Sequence, residues 1–500
     1  MFIRILFIVI VFLLISVISA YSHGDKKLDS QISLEKTDCW FGKQENWPRA
    51  DCFDMHVPEN HRAENSRLIK FPVVIFRSDI KIAPKAPVLY LGAGGPGSAM
   101  YLDDSESVKV FLDYHDDFSL QLGRDLIVID PRGVGLAEPK LVCDDYLINI
   151  KRRLRKNISL EQEMHAGEED YDVCIARFKA SGVDLSQYNS LAVSRDIELL
   201  RQYLKHEKWV LFGVSYAAHY AQVIASQFPD TVESMILDSP VFMNVELDND
   251  YLEHSHKPYT FLFNYCDINI YCEKPIEGIE KRIWRLFETL QESPMTMSVW
   301  DSTVGSYMDI VVNGDRFIES LLVGQYATEI YEDLPLIVEE LERGKSKYFQ
   351  TYLQDYVAYL TDTEFSDISF TAHYCYEDHP FIDFGVLRDT IDQIPKGYIK
   401  RAGELFLSGA DYCSTMGFAE GDRKVFHVEE IETPTLLMQG ELDTVTPISD
   451  TVNEKQRFTN HQLLTFYVSH SVLSWEACAE KLAGIFVENH HITDGDQRCD

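Results

Sequence analysis

The sequence predicts an α/β chain: a mostly parallel central sheet flanked by helices, interrupted by a large helical insertion. Three observations carry this. Short apolar runs of strand length alternate with segments of helical period between residues 68 and 237. The alternation stops from about 245 to 425, where aromatic and acidic residues dominate and helical patterns continue. The strand signal then returns at 434–438 and 463–468. An insertion explains the gap better than domains in series, because strands from both ends of the chain can then share one sheet. The expected layout is a signal peptide at 1–20, a first core part at 21–245, a lid at 246–425 and a second core part at 426–500.

At the N-terminus, Arg4 precedes an apolar run at 5–15, and Ser16-Val17-Ile18-Ser19-Ala20 closes it with small residues. This is the pattern of a cleaved secretory signal. The run is shorter than the ~20 apolar residues of a bilayer-spanning helix. A secreted or periplasmic protein is expected, with no stable membrane insertion after signal removal. The ten cysteines, an even number, suit export. Pairing of sequence neighbours is the expected connectivity: 39 with 52, 143 with 174, 266 with 272, 375 with 413 and 478 with 499. No C-x-x-C pair exists, and His254-Ser255-His256 reads as a loop pair, so no metal and no organic cofactor are expected.

Residues 21–65 are polar with scattered apolar positions and carry no repeat; the character changes at Leu68. The run 68–76 reads as a strand, and Pro72 within it suggests a sheet edge. The runs 87–91, 126–129, 209–212 and 235–237 read as buried strands of a parallel sheet. Val193, Ile197, Leu200 and Leu204 recur on one helical face, and 217–228 reads as a second helix. Within the insertion, 279–290 and 334–341 read as helices. The 500 residues include 80 acidic against 46 basic side chains, a net charge of −34. Such a chain repels phosphate backbones, so no nucleic-acid partner is expected. The one dense basic run, at 151–156, reads as a solvated helix face.

The motif with the sharpest chemistry is Gly213-Val214-Ser215-Tyr216-Ala217, placed between a strand and a helix. A serine held in a tight strand-to-helix turn needs small residues two before and two after it, because side chains there would collide with the strand and helix. A serine hydroxyl also needs a base, and the base an orienting acid. Asp443 follows the strand at 434–438 and His470 follows the strand at 463–468, giving the chain order Ser, acid, His. Glu441 is the alternative acid. His219, on the helix after Ser215, reads as a packing residue. Donors for a developing oxyanion are expected from the backbone N–H of Tyr216 and from the loop Gly92-Ala93-Gly94-Gly95-Pro96-Gly97, with Gly95 favoured over Gly94. That loop lacks the Lys-Ser/Thr ending of a phosphate-binding loop.

These motifs resemble those of secreted α/β-hydrolases related to tripeptidyl and prolyl aminopeptidases. Gly94-Gly95-Pro96-Gly97 resembles their GGPG loop, and the Ser215 turn resembles their G-x-S-Y-G elbow. Asp130-Pro131-Arg132-Gly133-Val134-Gly135 resembles a D-Q-R-G-x-G segment, and Cys375-Tyr376-Glu377-Asp378 a C-x-E-D element in the lid. Cys478 resembles a cysteine shortly after the histidine. Ala93, Ala137 and Ala217 depart from the usual His, Ser and Gly. The resemblance implies an α/β-hydrolase fold and peptide substrates, with residues or short peptides released from free N-termini through an acyl-enzyme. It makes Glu377 and Asp378 candidates for binding the substrate ammonium; Glu253 and Glu319, which the resemblance does not mark, come after them. A carboxylesterase or lipase on the same residues is the alternative, and a non-enzymatic binding module on a hydrolase scaffold a further one. The sequence leaves the oligomeric state open.

Overall fold

Apolar residues on successive positions of the central strands are buried on both faces, which is why these runs lack alternation. In the computed structural model Val88 and Tyr90 pack with Val210, Phe212, Ile236 and Met438 on one side of the sheet. Leu89 and Leu91 pack with Leu211, Met235 and Leu437 on the other. The first face is covered by helices Ser105–His115 and Ala477–Asn489, the second by Ser190–Leu204 and Tyr216–Gln227. The structure describes residues 32–493 apart from 44–46, 81–84, 93, 116–117, 246–248, 250–251, 269–277, 409–411 and 418–425. The signal segment at 1–20, Ala93, Cys272 and Cys499 therefore lie outside the described residues.

The strands are β1 Ser33–Thr37, β2 Arg49–Pro58, β3 Leu68–Arg77, β4 Val88–Tyr90, β5 Leu126–Ile129, β6 Trp209–Val214, β7 Val232–Asp238, β8 Met295–Asp301, β9 Ser306–Val312, β10 Thr435–Gly440 and β11 His461–Phe466. Nine form one sheet in the order β1-β2-β3-β5-β4-β6-β7-β10-β11. The pairs from β5 through β4, β6, β7 and β10 to β11 are all parallel. β1, β2 and β3 add an antiparallel margin. As expected, strands from both ends of the chain share the sheet.

Three features differ from the sequence reading. β1 and β2 form in the polar stretch, where each leaves part of its length exposed and so carries polar residues. β3 is internal, not an edge. Pro72 is tolerated because it falls between Val73, which faces Ile129 of β5, and the isolated bridge of Lys70 to Glu138. The insertion also contains the hairpin β8–β9, whose Met297, Val299, Met308, Ile310 and Val312 alternate inward.

The insertion builds its own core around Ile283, Phe317, Leu321, Tyr331, Phe349 and Leu353. Ile150, Leu154 and Leu160, from helices Asp144–Leu154 and Leu160–Ala180, pack into the same core. Arg316 of the insertion donates to the carbonyls of Arg153, Leu154 and Lys156, capping the helix end with positive charge. The basic run is thus partly an anchor: Lys151 pairs with Asp301, and Arg153 with Glu163 and Asp170. Disulfides Cys39–Cys52, Cys143–Cys174 and Cys375–Cys413 form as neighbour pairing anticipates. Cys266 and Cys478 are also disulfide-bonded. Among the described residues no helix is long and apolar enough to cross a membrane.

Phe212 has no solvent exposure and packs its ring against Tyr90, His115 and Phe118 at 4.8 to 5.2 Å. Phe212→Ala is expected to lower stability by about 3–5 kcal/mol. Denaturant unfolding followed by tryptophan fluorescence checks this, and a loss below about 1 kcal/mol contradicts the packing.

Candidate active site

The carboxyl ends of β6, β7, β10 and β11 converge on one rim of the sheet, and each ends in a polar residue or turn. Ser215 follows β6 with φ 55° and ψ −122°, a left-handed backbone rare for a residue with a Cβ. Helix Tyr216–Gln227 starts immediately after it. A Cβ on Gly213 would stand 2.4 Å from the Ala217 carbonyl oxygen, so the small residue two before Ser215 is a steric necessity. Gly94, at φ 100°, comes so close that an added Cβ would lie 2.6 Å from Ser215 Cβ. The glycine loop and the serine turn are therefore in direct contact.

Asp443 and His470 meet as the sequence order suggests. Nδ1 of His470 lies 2.9 Å from Oδ2 of Asp443, and both side chains are buried. Asp443 Oδ1 accepts the N–H groups of Val445 and Thr446, while Thr446 Oγ1 donates to Oδ2. Burial would raise the Asp443 pKa, but the His470 imidazole and the Thr446 donors hold it below the usual carboxylate value. Burial likewise opposes protonation of His470, yet the Asp443 carboxylate outweighs it and the imidazole pKa is raised. Glu441 points elsewhere and accepts from Thr465 on the exposed side.

Asp238, at the end of β7, links these pieces. Its carbonyl accepts the N–H of Ser215 at 2.9 Å. Its carboxylate accepts the N–H groups of Val472 and Leu473 at 2.8 and 3.0 Å, just after His470. Neighbouring Ser239 accepts from the N–H of Ser471, and its carbonyl accepts from Thr446 Oγ1. The serine turn, the acid turn and the histidine turn thus share one buried anchor. Burial pushes the Asp238 pKa up to about 6, with the two backbone donors opposing the shift. Sequence reading assigns this residue no role; its one signal is a charged residue directly after the apolar run Met235-Ile236-Leu237.

The lid grips the same turns. Ser366 donates its N–H to the Gly97 carbonyl, and Ser369 Oγ donates to the Pro96 carbonyl. Gln325 bridges the other two turns: its side chain accepts from Thr444 Oγ1 and its carbonyl from Ser469 Oγ. The ring of Tyr326 meets the His470 imidazole edge-on at 5.3 Å. Asp130 holds the far end of the glycine loop by accepting the Met100 N–H at 2.7 Å. A Cβ on Gly135 would stand 2.3 Å from that carboxylate, which gives the Asp130–Gly135 motif a physical reason.

Glu377 does not stand open to an incoming ammonium. It is buried, and its oxygens accept from Ser190 N–H at 2.5 Å, Ser190 Oγ at 2.7 Å and Tyr216 OH at 2.8 Å. His219 Nε2 lies 3.2 Å away, with its ring stacked on Tyr216. Glu377 therefore ties the lid helix Asp367–Glu377 to the helix that begins beside Ser215. Asp378 ends that lid helix with an exposed side chain. Glu319 is enclosed by the hydroxyls of Tyr356 and Tyr398, and Glu253 pairs with Lys257.

The sheet order, the turn at Ser215 and the inserted lid give this chain the α/β-hydrolase fold. A family model of the alpha/beta hydrolase fold matches residues 87–260. Serine protease Hip1 of Mycobacterium tuberculosis is 28% identical over 190 residues, 36% of this chain and 32% of that protein. Putative hydrolase YuaR of Escherichia coli K12 is 24% identical over 222 residues, 42% of this chain and 40% of that one. The chain thus spans well under half the length of these curated relatives. An epoxide hydrolase variant from Vigna radiata is 13% identical, with TM-score 0.37 over 92% of this chain and 98% of that structure.

Asp238→Ala leaves the N–H groups of Val472 and Leu473 without their buried acceptor. A loss of at least about 2 kcal/mol is expected. Hydrogen exchange at residues 471–473, measured against wild type, checks that the loss is local to the histidine turn; unchanged protection there contradicts the anchor.

Proposed function

We propose that this protein is an exported serine hydrolase that cleaves peptide bonds through an acyl-enzyme, releasing residues or short peptides from free N-termini. One observation carries the reading. A strained serine at the end of β6 shares the buried Asp238–Ser239 anchor with a paired aspartate and histidine at the ends of β10 and β11.

With Nδ1 of His470 facing Asp443, the ring proton sits on Nδ1 and Nε2 carries the free lone pair. Nε2 accepts the Ser215 proton as Oγ bonds to the substrate carbonyl carbon. The negative charge moves to the carbonyl oxygen, where the N–H groups of Tyr216 and Gly95 receive it. Tyr216 opens a helix, whose dipole favours the anion. The carbon–nitrogen bond then breaks, and the amine leaves with the proton from Nε2. Water, deprotonated by the same nitrogen, hydrolyses the Ser215 ester and regenerates the hydroxyl.

Similarity to a protein named a serine protease favours peptide amides as substrates. The disulfides Cys39–Cys52, Cys143–Cys174 and Cys375–Cys413 support export to a secreted or periplasmic location. Asp378, exposed at the end of the lid helix beside Glu377, is the remaining carboxylate of its motif for a substrate ammonium.

Ser215→Ala is expected to lower kcat by about 10³-fold or more without unfolding the protein. Peptide amides with free and blocked N-termini, run beside p-nitrophenyl esters, check the substrate class. Turnover of esters alone moves the reading to a carboxylesterase, and unchanged activity in the variant removes Ser215 from the mechanism.

Because His470 acts as a base only when neutral and its pKa is raised, the acid limb of kcat/KM is expected above the ordinary imidazole value of about 6.5. Asp443→Asn removes the raising charge while burial remains, so the limb shifts to lower pH. Rate profiles of both proteins check this, and an unshifted limb contradicts the pairing.

A further inference from the structure

The lid places aromatic rings beside the His470 imidazole and over the glycine loop of the proposed reaction centre. Tyr326 lies edge-on to the His470 imidazole and is 42% exposed. Phe365 lies over the glycine loop: its ring is 3.4 Å from where a Cβ on Gly95 would stand and 3.2 Å from the corresponding point on Gly97. Tyr359 and Phe370 flank Phe365 at 6.4 and 6.2 Å between ring centroids. They are 54% and 45% exposed, although both are large aromatic residues. Helix Gly314–Gly324, which ends just before Tyr326, and helix Lys347–Leu360, which carries Tyr359, meet at Gly324, where an added Cβ would lie 2.6 Å from the Tyr352 ring. Ser366, next to Phe365, is fixed by its bonds to Gly97 and Leu141.

A contiguous set of aromatic rings, two of them exposed and the third partly so, on a well-anchored segment marks a binding surface more often than scattered apolar residues do. Its position assigns the part of the substrate it meets. His470 protonates the leaving group, so that group lies on the Tyr326 side. The carbonyl oxygen points to the Gly95 N–H, and the acyl substituent on the same carbon runs away from the leaving group, along the glycine loop that Phe365 covers at Gly95 and Gly97. We propose that Phe365, Tyr359 and Phe370 form the subsite for a large apolar or aromatic side chain on the acyl side of the scissile bond. Aromatic surfaces offer such a side chain both burial and edge-to-face contact. The assignment rests on the hydrolase reading above and adds the acyl residue that it prefers.

The test uses the full protein and two series. One is aminoacyl p-nitroanilides with alanine, leucine or phenylalanine as the acyl residue. The other is p-nitrophenyl acetate against p-nitrophenyl 3-phenylpropionate. Wild type is expected to favour the aromatic acyl group by about tenfold or more in kcat/KM. Phe365→Ala and Tyr359→Ala should each reduce that ratio by about threefold or more, mainly through KM for the aromatic substrate. Tyr359 is more than half exposed, so its truncation spares the core. Val304→Ala, at an exposed hairpin turn, should leave the ratio unchanged. Fluorophosphonate labelling of Ser215 checks that each variant keeps an assembled site. A wild-type preference for alanine or acetate, or an unchanged ratio in both aromatic variants, overturns the subsite while the hydrolase reading stands. Absence of labelling together with absence of turnover in both series overturns the hydrolase reading and the subsite with it.

Discussion

The Asp238 carboxylate, fully enclosed at the end of β7, is the constraint on which the rest of the rim depends. A turn that places a reactive side chain at a sheet edge gives up the hydrogen bonds of the strand it leaves. Its backbone N–H groups then need acceptors. Asp238 supplies them for both flanking turns at once, through its carbonyl to Ser215 and through its carboxylate to Val472 and Leu473. Ser239 extends the same anchor to Ser471 and Thr446. Left-handed backbones at Ser215, Ser239 and Ser471 are held by this network. Strain of this kind persists only where surrounding bonds over-determine it.

A second layer of restraint comes from the lid. An insertion joined to a sheet at two points could ride loosely over it, yet this one is bonded to the glycine loop, the acid turn and the histidine turn. It also reaches the helix after Ser215 through Glu377 and Tyr216. Most of these bonds are buried, where an unmade hydrogen bond costs more than at a surface. The lid is therefore part of what positions the rim as well as what covers it. Helix Asp144–Leu154 belongs with it physically, because Arg316 and the shared apolar core bind the two more closely than the chain order suggests.

The charges in the interior follow the same logic. Asp443, Glu377, Asp130 and Asp238 are all buried, and each faces backbone or side-chain donors. The outcomes differ with the partner. Asp443 and Glu377 sit beside imidazoles and keep lowered pKa values against the effect of burial. Asp130 and Asp238 receive mainly neutral N–H groups, and burial pushes both up to about 6. An imidazole nitrogen paired directly with the carboxylate, at 2.9 Å for Asp443 and 3.2 Å for Glu377, rather than the count of hydrogen bonds, separates the two pairs.

Much of this was legible in the linear chain. Largely apolar runs bounded by turns pointed to the six parallel strands, and the inner ones lack alternation because they are buried on both faces. The small residues around Ser215 and the late positions of Asp443 and His470 were legible because sterics and strand succession restrict them locally. Residues 33–58 were not legible as strands, since marginal strands are half solvated and their polarity resembles loop. The fate of Glu377 was hidden as well. Its sequence neighbours say it is acidic and near a cysteine, but its acceptors are filled by Ser190 and Tyr216, both more than 150 positions away. The sequence by itself determined which segments become the parallel strands and which turn holds a nucleophile-like serine, because those depend on period, size and backbone strain within a few residues. Only the tertiary structure decided which carboxylates are enclosed, which aromatic rings stay open and which turns share an anchor, because burial and hydrogen-bond pairing are set by contacts between segments far apart in the chain.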